Sequence, residues 1–241
     1  MASPNGMNTF QYRTVLFDLD GTLMDTGPGI FAAFRHVQQG MKWPALTDKQ
    51  LRALVGPPLI DSYVKTFGLT LEEGRQAAVM HRRFQIQESY RLASPYPGIA
   101  SFLQNLKDAR CKLGVTTLKG ETIARKTLES GHLAHYFDCI HGVQHNGSNP
   151  TKAAIIDRAL HTLKTQPQEA LLIGDSHYDA IGAWETHVTF AAVTYGYGFA
   201  NYEAAEKYHP LFIARSVSDL SDFVASAADK LRTHHQKEGL H

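Results

Sequence analysis

The sequence predicts an α/β fold: a doubly wound parallel sheet, interrupted after its first strand by a helical insertion. Three observations carry this. Beyond Pro95-Tyr96-Pro97-Gly98, short apolar runs alternate with stretches of helical period, the pattern of a parallel sheet with helices on both faces. From Asp25 to Leu92 the chain reads as almost wholly helical, so the strand before it, Arg13 to Phe17, has no partner there and must join the later sheet. The polar residues of interest fall just after the apolar runs, where open α/β sheets bind ligands.

Taken in order, Arg13 to Phe17 is a buried strand. Ile30, Phe31, Phe34, Val37 and Met41 then recur at helical spacing. Thr47-x-x-Gln50 and Thr70-x-x-Glu73 each have the form of a capping box that starts a helix. Between them Gly56-Pro57-Pro58 breaks the chain, and Leu59, Tyr63 and Phe67 give the next apolar face. After the break at Pro97, Ile99, Phe102, Leu103 and Leu106 mark a helix. Strands are expected over Leu113 to Thr116, Phe137 to His141, Ala170 to Ile173, Thr189 to Thr194 and Leu211 to Ala214. Helices are expected over Glu121 to Ser130, Lys152 to Leu163, Tyr178 to Glu185 and Asp219 to Leu231. The division that follows is a sheet domain of residues 1–26 and 93–241, with residues 27–92 as an inserted helical domain of about 65 residues, a small but feasible unit.

Composition narrows the class. Of 241 residues, 43% are hydrophobic and 20% charged, with a net charge of +1, as in an ordinary soluble protein with material for a core. That balance gives no nucleic-acid or anionic-membrane surface. No stretch has the apolar length of a membrane span, and Met1 to Phe10 lacks a signal-peptide core. Cys111 and Cys139 show no metal-ligand spacing and read as packing residues of a cytoplasmic protein. The polar tail from Thr233 to His241 reads as frayed surface. Nothing in the sequence sets the oligomeric state.

The chemistry is concentrated in two segments. Asp18-Leu19-Asp20-Gly21-Thr22-Leu23-Met24-Asp25 follows the apolar run Val15-Leu16-Phe17. Carboxylates two positions apart at a strand end project to one side, and Gly21 turns the chain away from them. Buried carboxylates are costly without a cation or donors, so a metal site is the simplest way to satisfy them. The second segment, Gly174-Asp175-Ser176-His177-Tyr178-Asp179, follows the Ala170 to Ile173 strand. Thr116 and Thr117 end another strand, and Lys152 falls near a helix start.

Together these segments resemble the haloacid-dehalogenase superfamily of phosphotransferases. Asp18-x-Asp20-Gly-Thr-Leu-x-Asp25-Thr26 matches its first signature, Val115-Thr116-Thr117-Leu118-Lys119 its second, Lys152 its third, and Gly174-Asp175 with Asp179 its fourth. The likeness runs from Val15 to about Val224 and includes a helical cap after the first signature. Gly56-Pro57-Pro58-Leu59 and Tyr195-Gly196-Tyr197-Gly198 resemble the branch of phosphoglycolate phosphatases and small 5′-nucleotidases. One departure is His187, where relatives commonly carry a helix-ending glycine; histidine tolerates the left-handed conformation better than most residues.

The resemblance implies a Rossmann-like core and a Mg²⁺-dependent phosphatase of small phosphate monoesters, acting on a phosphorylated metabolite with phosphoglycolate favoured. Asp18 would attack phosphorus and become an aspartyl phosphate. Asp20 would protonate the leaving alkoxide and then activate water. Asp18, the backbone carbonyl of Asp20 and Asp175 would hold the metal, with Asp179 behind them. Lys152 would balance charge and Thr117, or Thr116 if the register differs by one, would bind a phosphoryl oxygen. A 5′-nucleotidase and a sugar-phosphate mutase are the alternatives, and a phosphonate hydrolase would want a cap lysine such as Lys65. Lys119 reads as a surface loop residue, Arg82 and Arg83 as a solvated helix face, Gly56-Pro57-Pro58 as a helix connection, and Tyr195 and Tyr197 as packing residues. Asp25 and Thr26 are expected to cap the exit into the insertion.

Overall fold

The structure is a computed structural model that describes residues 11–144 and 150–226. The expectations for Met1 to Phe10, for the tail from Thr233 and for the last turns of the helix reaching Leu231 lie outside those residues.

Six parallel strands form the sheet: β1 (Thr14–Phe17), β4 (Lys112–Gly120), β5 (Cys139–Val143), β6 (Ala170–Gly174), β7 (Thr189–Val193) and β8 (Phe212–Ala214), in the order β5-β4-β1-β6-β7-β8. β1 is central because all four of its residues are apolar or small and fully buried, as a strand covered on both faces requires. Val15 and Phe17 point to one side, where they cluster with Phe102, Leu103 and Leu106 of α5 (Ile99–Asp108) and Leu128 of α6 (Glu121–Ser130). Leu16 points to the other, against Ile156, Leu160 and Leu163 of α7 (Lys152–Leu163) and Ala183 of α8 (His177–Glu185). From β1 the chain later builds one way through β4 and β5 and the other way through β6, β7 and β8. The carboxyl ends of β1, β4 and β6 therefore meet at the switch in strand order, where such sheets open a crevice.

A two-stranded antiparallel link, β2 (Met24–Asp25) with β3 (Ser94–Pro95), brackets the helical segment. Within it lie α1 (Gly27–Met41), α2 (Asp48–Arg52), α3 (Leu59–Phe67), α4 (Leu71–Gln87) and a 3₁₀ turn over Ser89–Leu92. These helices have their own apolar cluster, with Ile30, Phe34, Val37, Leu51 and Tyr63 at its centre. Both expected capping boxes form: Thr47 accepts from Gln50 N, Thr70 from Glu73 N, and each partner side chain returns the bond.

Several local differences have physical causes. β4 runs four residues past its expected end at Thr116, with its register on β5 shifted between Thr116 and Gly120, so the threonines and Lys119 belong to an irregular strand end. A short helix, α9 (Tyr202–Glu206), was absent from the apolar pattern and starts where Asn201 Oδ1 accepts from Ala204 N at 2.9 Å. The last helix starts at 217 rather than at Asp219. His187 takes the left-handed conformation, φ +57°. Cys111 and Cys139 are buried, as expected. No helix among the described residues is long and apolar enough to cross a membrane.

Candidate active site

Asp18 is the first residue beyond β1. Its amide continues the ladder by donating to Ile173 O at 2.9 Å, and its carboxylate meets Lys152 at the start of α7, Nζ lying 2.7 Å from Oδ1. Thr151 fixes that helix start by accepting from Ala154 N at 3.2 Å. Lys152 Nζ also lies 2.5 Å from Asp179 Oδ1. The other Asp179 oxygen closes a capping box on α8, accepting from Ser176 N at 3.1 Å and Ser176 Oγ at 2.6 Å. Asp175 follows β6, and its Oδ2 accepts from Tyr197 N at 2.7 Å and Gly198 N at 2.9 Å. Asp18, Asp175 and Asp179 each bring an oxygen within 4.8 Å of the other two.

Three buried carboxylates therefore crowd together, and two of them, Asp18 and Asp179, share one ammonium group. Burial pushes Asp18 up to about 7, against the pull of Lys152 and with Asp179 and Asp20 adding to the rise. Asp175 is raised well above the ordinary carboxylate range, first by burial and then by the charges of Asp18 and Asp179. Burial alone would lower Lys152, but the charges of Asp179 and Asp18 outweigh it and hold its ammonium above the usual range. An all-oxygen donor set with surplus negative charge suits a hard divalent cation. The backbone is cut to fit the Asp175 carboxylate: a Cβ at Gly21 or Gly196 would lie 2.2 or 2.4 Å from its Oδ2.

The Asp20 side chain pairs with Lys119 beside this cluster, Nζ lying 2.9 and 3.2 Å from its two oxygens. The Lys119 side chain is only 7% exposed, so its reading as a surface loop residue is wrong. Its position two residues after Thr117, on the irregular end of β4, turns it inward; the Thr-x-Lys spacing was the available signal. Thr117 is buried, and its Oγ1 accepts from Lys119 N at 3.1 Å, shaping that turn. Thr116 Oγ1 is buried without a hydrogen-bond partner among the described residues.

A second set of residues escaped the sequence reading. Arg52, at the end of α2, donates to Gly196 O at 2.9 Å and lies over the Tyr197 ring at 4.7 Å. The Tyr197 hydroxyl donates to Asp25 Oδ1, and the Tyr195 hydroxyl to Thr22 O at 2.9 Å. The loop Tyr195-Gly196-Tyr197-Gly198 thus joins the helical segment to the Asp175 carboxylate, and it acts through backbone amides as well as ring packing. Asp25 also accepts from Gly27 N at 3.3 Å, whereas Thr26 makes no side-chain capping bond at the start of α1.

A chamber of about 820 Å³ lies between the helical segment and the sheet, with Asp20, Lys119 and Lys152 on its floor and Gly56, Pro57 and Pro58 on its wall. The Gly-Pro-Pro turn is therefore more than a helix connection. Of the arginine pair, Arg83 is exposed and Arg82 is half-buried along the chamber. Lys65 is exposed and does not line it.

Comparison with known proteins agrees with this arrangement. The model of the haloacid dehalogenase-like hydrolase family matches residues 15–193, and the chain belongs to that family. It is 28% identical over 218 residues to pyrophosphatase PpaX of Halalkalibacterium halodurans, a match covering 90% of this chain and 99% of that protein. It is 31% identical over 190 residues to tyrosine-protein kinase PtkA of Mycobacterium tuberculosis; that match covers 79% of this chain and only 65% of PtkA. The crystal structure of a predicted phosphatase from Clostridium acetobutylicum superposes with a TM-score of 0.83 at 32% identity, covering 89% of this chain and 99% of that one.

Proposed function

We propose that this chain is a Mg²⁺-dependent phosphatase that hydrolyses a small phosphate monoester in the cytoplasm through an aspartyl phosphate on Asp18. The observation that carries this reading is the buried Asp18–Lys152–Asp179 network with Asp175 beside it, at the strand-order switch and next to the Asp20–Lys119 pair. Family membership supports it, as do relatives named as a pyrophosphatase and a phosphatase.

Residues 27–92 act as a cap domain over the core formed by 1–26 and 93–241. Asp18, the backbone carbonyl of Asp20 and Asp175 hold Mg²⁺, with Asp179 orienting the set through Ser176 and Lys152. The bound ion supplies charge that offsets the phosphate dianion and the clustered carboxylates. Asp18 Oδ attacks phosphorus, and the bond from phosphorus to the leaving oxygen breaks. Lys152, Lys119 and the Thr117 hydroxyl stabilise the transferring phosphoryl oxygens. As Lys119 turns toward phosphate it leaves Asp20, which takes a proton from solvent before the cap closes and delivers it to the departing alkoxide. Water then attacks the aspartyl phosphate, Asp20 takes its proton, and inorganic phosphate leaves with the Asp18 carboxylate restored. The cap excludes bulk water during these steps.

Phosphoglycolate is the first substrate to test, beside pyrophosphate, 5′-nucleotides and hexose phosphates, with Mg²⁺ and with chelator. Chelator-sensitive phosphate release from one compound, abolished in Asp18→Asn, is the expected result. Release that persists in a folded Asp18→Asn protein overturns the assignment of the nucleophile. A requirement for a bisphosphate activator would turn the reading from hydrolase to mutase.

A further inference from the structure

The polar groups on the floor of the chamber are mostly committed to one another. Lys152 is shared by Asp18 and Asp179, and Lys119 is held by Asp20. The opposite wall differs. Helix α4 contributes His81, Arg82 and Gln85 to the chamber lining, and residues three and four apart share one helix face.

Each of the three carries an uncommitted donor. His81 is 1% exposed, and its Nδ1 lies 2.9 Å from the Tyr63 hydroxyl. Burial lowers His81 to about 3, reinforced by the charges of Lys119 and Arg82, so the imidazole is neutral. A phenol so deeply buried keeps its proton and donates it, leaving Nδ1 the acceptor and Nε2–H a free donor. The Gln85 side-chain amide, in a residue only 7% exposed, has no hydrogen-bond partner among the described residues. Its polar atoms face the chamber instead. The half-buried Arg82 guanidinium has no carboxylate partner there either. The other carboxylates lining the chamber, Asp61 and Glu185, belong to exposed residues. Apolar side chains, Leu54, Leu59 and Ile123 among them, occupy much of the remaining wall.

We infer that His81, Arg82 and Gln85 form an oxyanion subsite for the leaving group, so that the substrate is a phosphate monoester whose far end carries a carboxylate or a second phosphate. This rests on the phosphatase reading and narrows it. Three neutral or cationic donors along one wall of the chamber, the buried His81 and Gln85 one turn apart and the half-buried Arg82 beside them, with no acceptor for them among the described residues, match an anion with several lone pairs. A guanidinium with two flanking N–H groups matches the planar, multi-oxygen geometry of carboxylate and phosphate. The floor handles the reacting phosphoryl group; the roof selects what is attached to it.

Calorimetric titration with non-hydrolysable ligands, in Mg²⁺, tests the subsite apart from turnover. Phosphonoacetate carries a distal carboxylate, 1,3-propanediphosphonate a distal phosphonate, and propylphosphonate no distal charge. The expected result is that one of the two charged ligands binds at least about tenfold more tightly than propylphosphonate, as a charge-assisted bond implies. Which of them does so identifies carboxylate or phosphate. Arg82→Met and Gln85→Leu should each erode that preference, and Arg82→Lys should restore part of it. Arg83→Met, on the exposed neighbour, should leave it as in the parent protein. Equal affinity for all three ligands overturns the inference, as does a parallel loss for all three in both Arg82→Met and Gln85→Leu. Release of phosphate by the parent protein from phosphoglycolate, pyrophosphate, 5′-nucleotides and hexose phosphates is scored separately: its absence across that whole panel overturns the phosphatase reading even where the binding preference stands.

Discussion

The floor and the roof of the chamber bury ionisable groups under the same desolvation, yet they resolve it in opposite ways. Beneath the floor, Asp18 and Asp175 stay in a crowd of carboxylates, two of which, Asp18 and Asp179, share Lys152, and burial drives Asp18 and Asp175 upward. On the roof, His81 is held neutral by burial, with the charges of Lys119 and Arg82 adding to it, and its Nδ1 lies 2.9 Å from the Tyr63 hydroxyl. The roof is left with a neutral His81, a cationic Arg82 and uncommitted donors; the floor is backed by surplus carboxylates that a proton or a divalent cation can neutralise. The two regions meet at Arg52, which reaches from α2 to the loop holding Asp175.

The sharpest break of the comparison is removal of the cation that Asp18 and Asp179 share. Lys152→Met leaves these two carboxylates without their counter-charge, beside Asp175. It should lower turnover by about 10³-fold or more and destabilise the metal-free protein by about 3 kcal/mol, read by steady-state kinetics and urea unfolding. Retention of both within a few-fold and a few tenths of a kcal/mol would mean that the cluster is not electrostatically strained.

Asp18→Asn separates function from stability. Turnover should vanish, while the metal-free protein melts higher than the parent because a buried charge has been neutralised. A lower melting temperature at pH 8 without metal would show that the Asp18–Lys152 pair stabilises more than burial costs.

The pH dependence tests the opposite signs directly. Asp18 sits at about 7 in the folded state against an ordinary 3.8, so its contribution is fully present below about pH 4 and is lost as pH rises through 7. His81 sits at about 3 against 6.5, so its contribution is present above 6.5 and is lost as pH falls toward 3. Hydrogen exchange on metal-free protein should therefore show the ends of β1 and β6 losing protection from pH 5 to 8, and α4 losing it from pH 6.5 to 4. Mg²⁺ should flatten the first trend and leave the second alone. Parallel trends in both regions would sink the comparison.

The smallest effects belong to the link between the regions. Arg52→Met should lower kcat/KM by about tenfold, the scale of one charge-assisted hydrogen bond, and weaken Mg²⁺ binding measured by calorimetry. Tyr197→Phe removes the bond to Asp25 and keeps the backbone amide on Asp175; a change of only a few-fold is expected. An unchanged Mg²⁺ affinity in Arg52→Met would confine Arg52 to holding the cap.

How far the sequence could be read followed the range of the interactions involved. The strands and long helices were legible because their apolar period is local, and the capping boxes at Thr47 and Thr70 because each closes within four residues. Asp18 and Asp175 were legible because each lies just beyond a strand, where strand polarity aims it, and Lys152 through the family resemblance and its place at a helix start. Lys119 was misread because its direction depends on a register shift between β4 and β5. Arg82 was read as part of a solvated helix face and Gln85 was passed over, because helical period alone does not tell which polar residues face solvent and which face a chamber.

By itself the sequence determined the alternation of elements, the place of the helical insertion, and the strand ends at which carboxylates gather, since all of these rest on short-range periodicity and chain geometry. Only the tertiary structure decided which charges pair, which donors remain uncommitted, and how the Tyr195-Gly196-Tyr197-Gly198 loop couples Arg52 to Asp175. Those outcomes depend on desolvation and on contacts between residues more than a hundred positions apart, such as Arg52 with Gly196 and Lys152 with Asp18, and a local pattern carries no information about either.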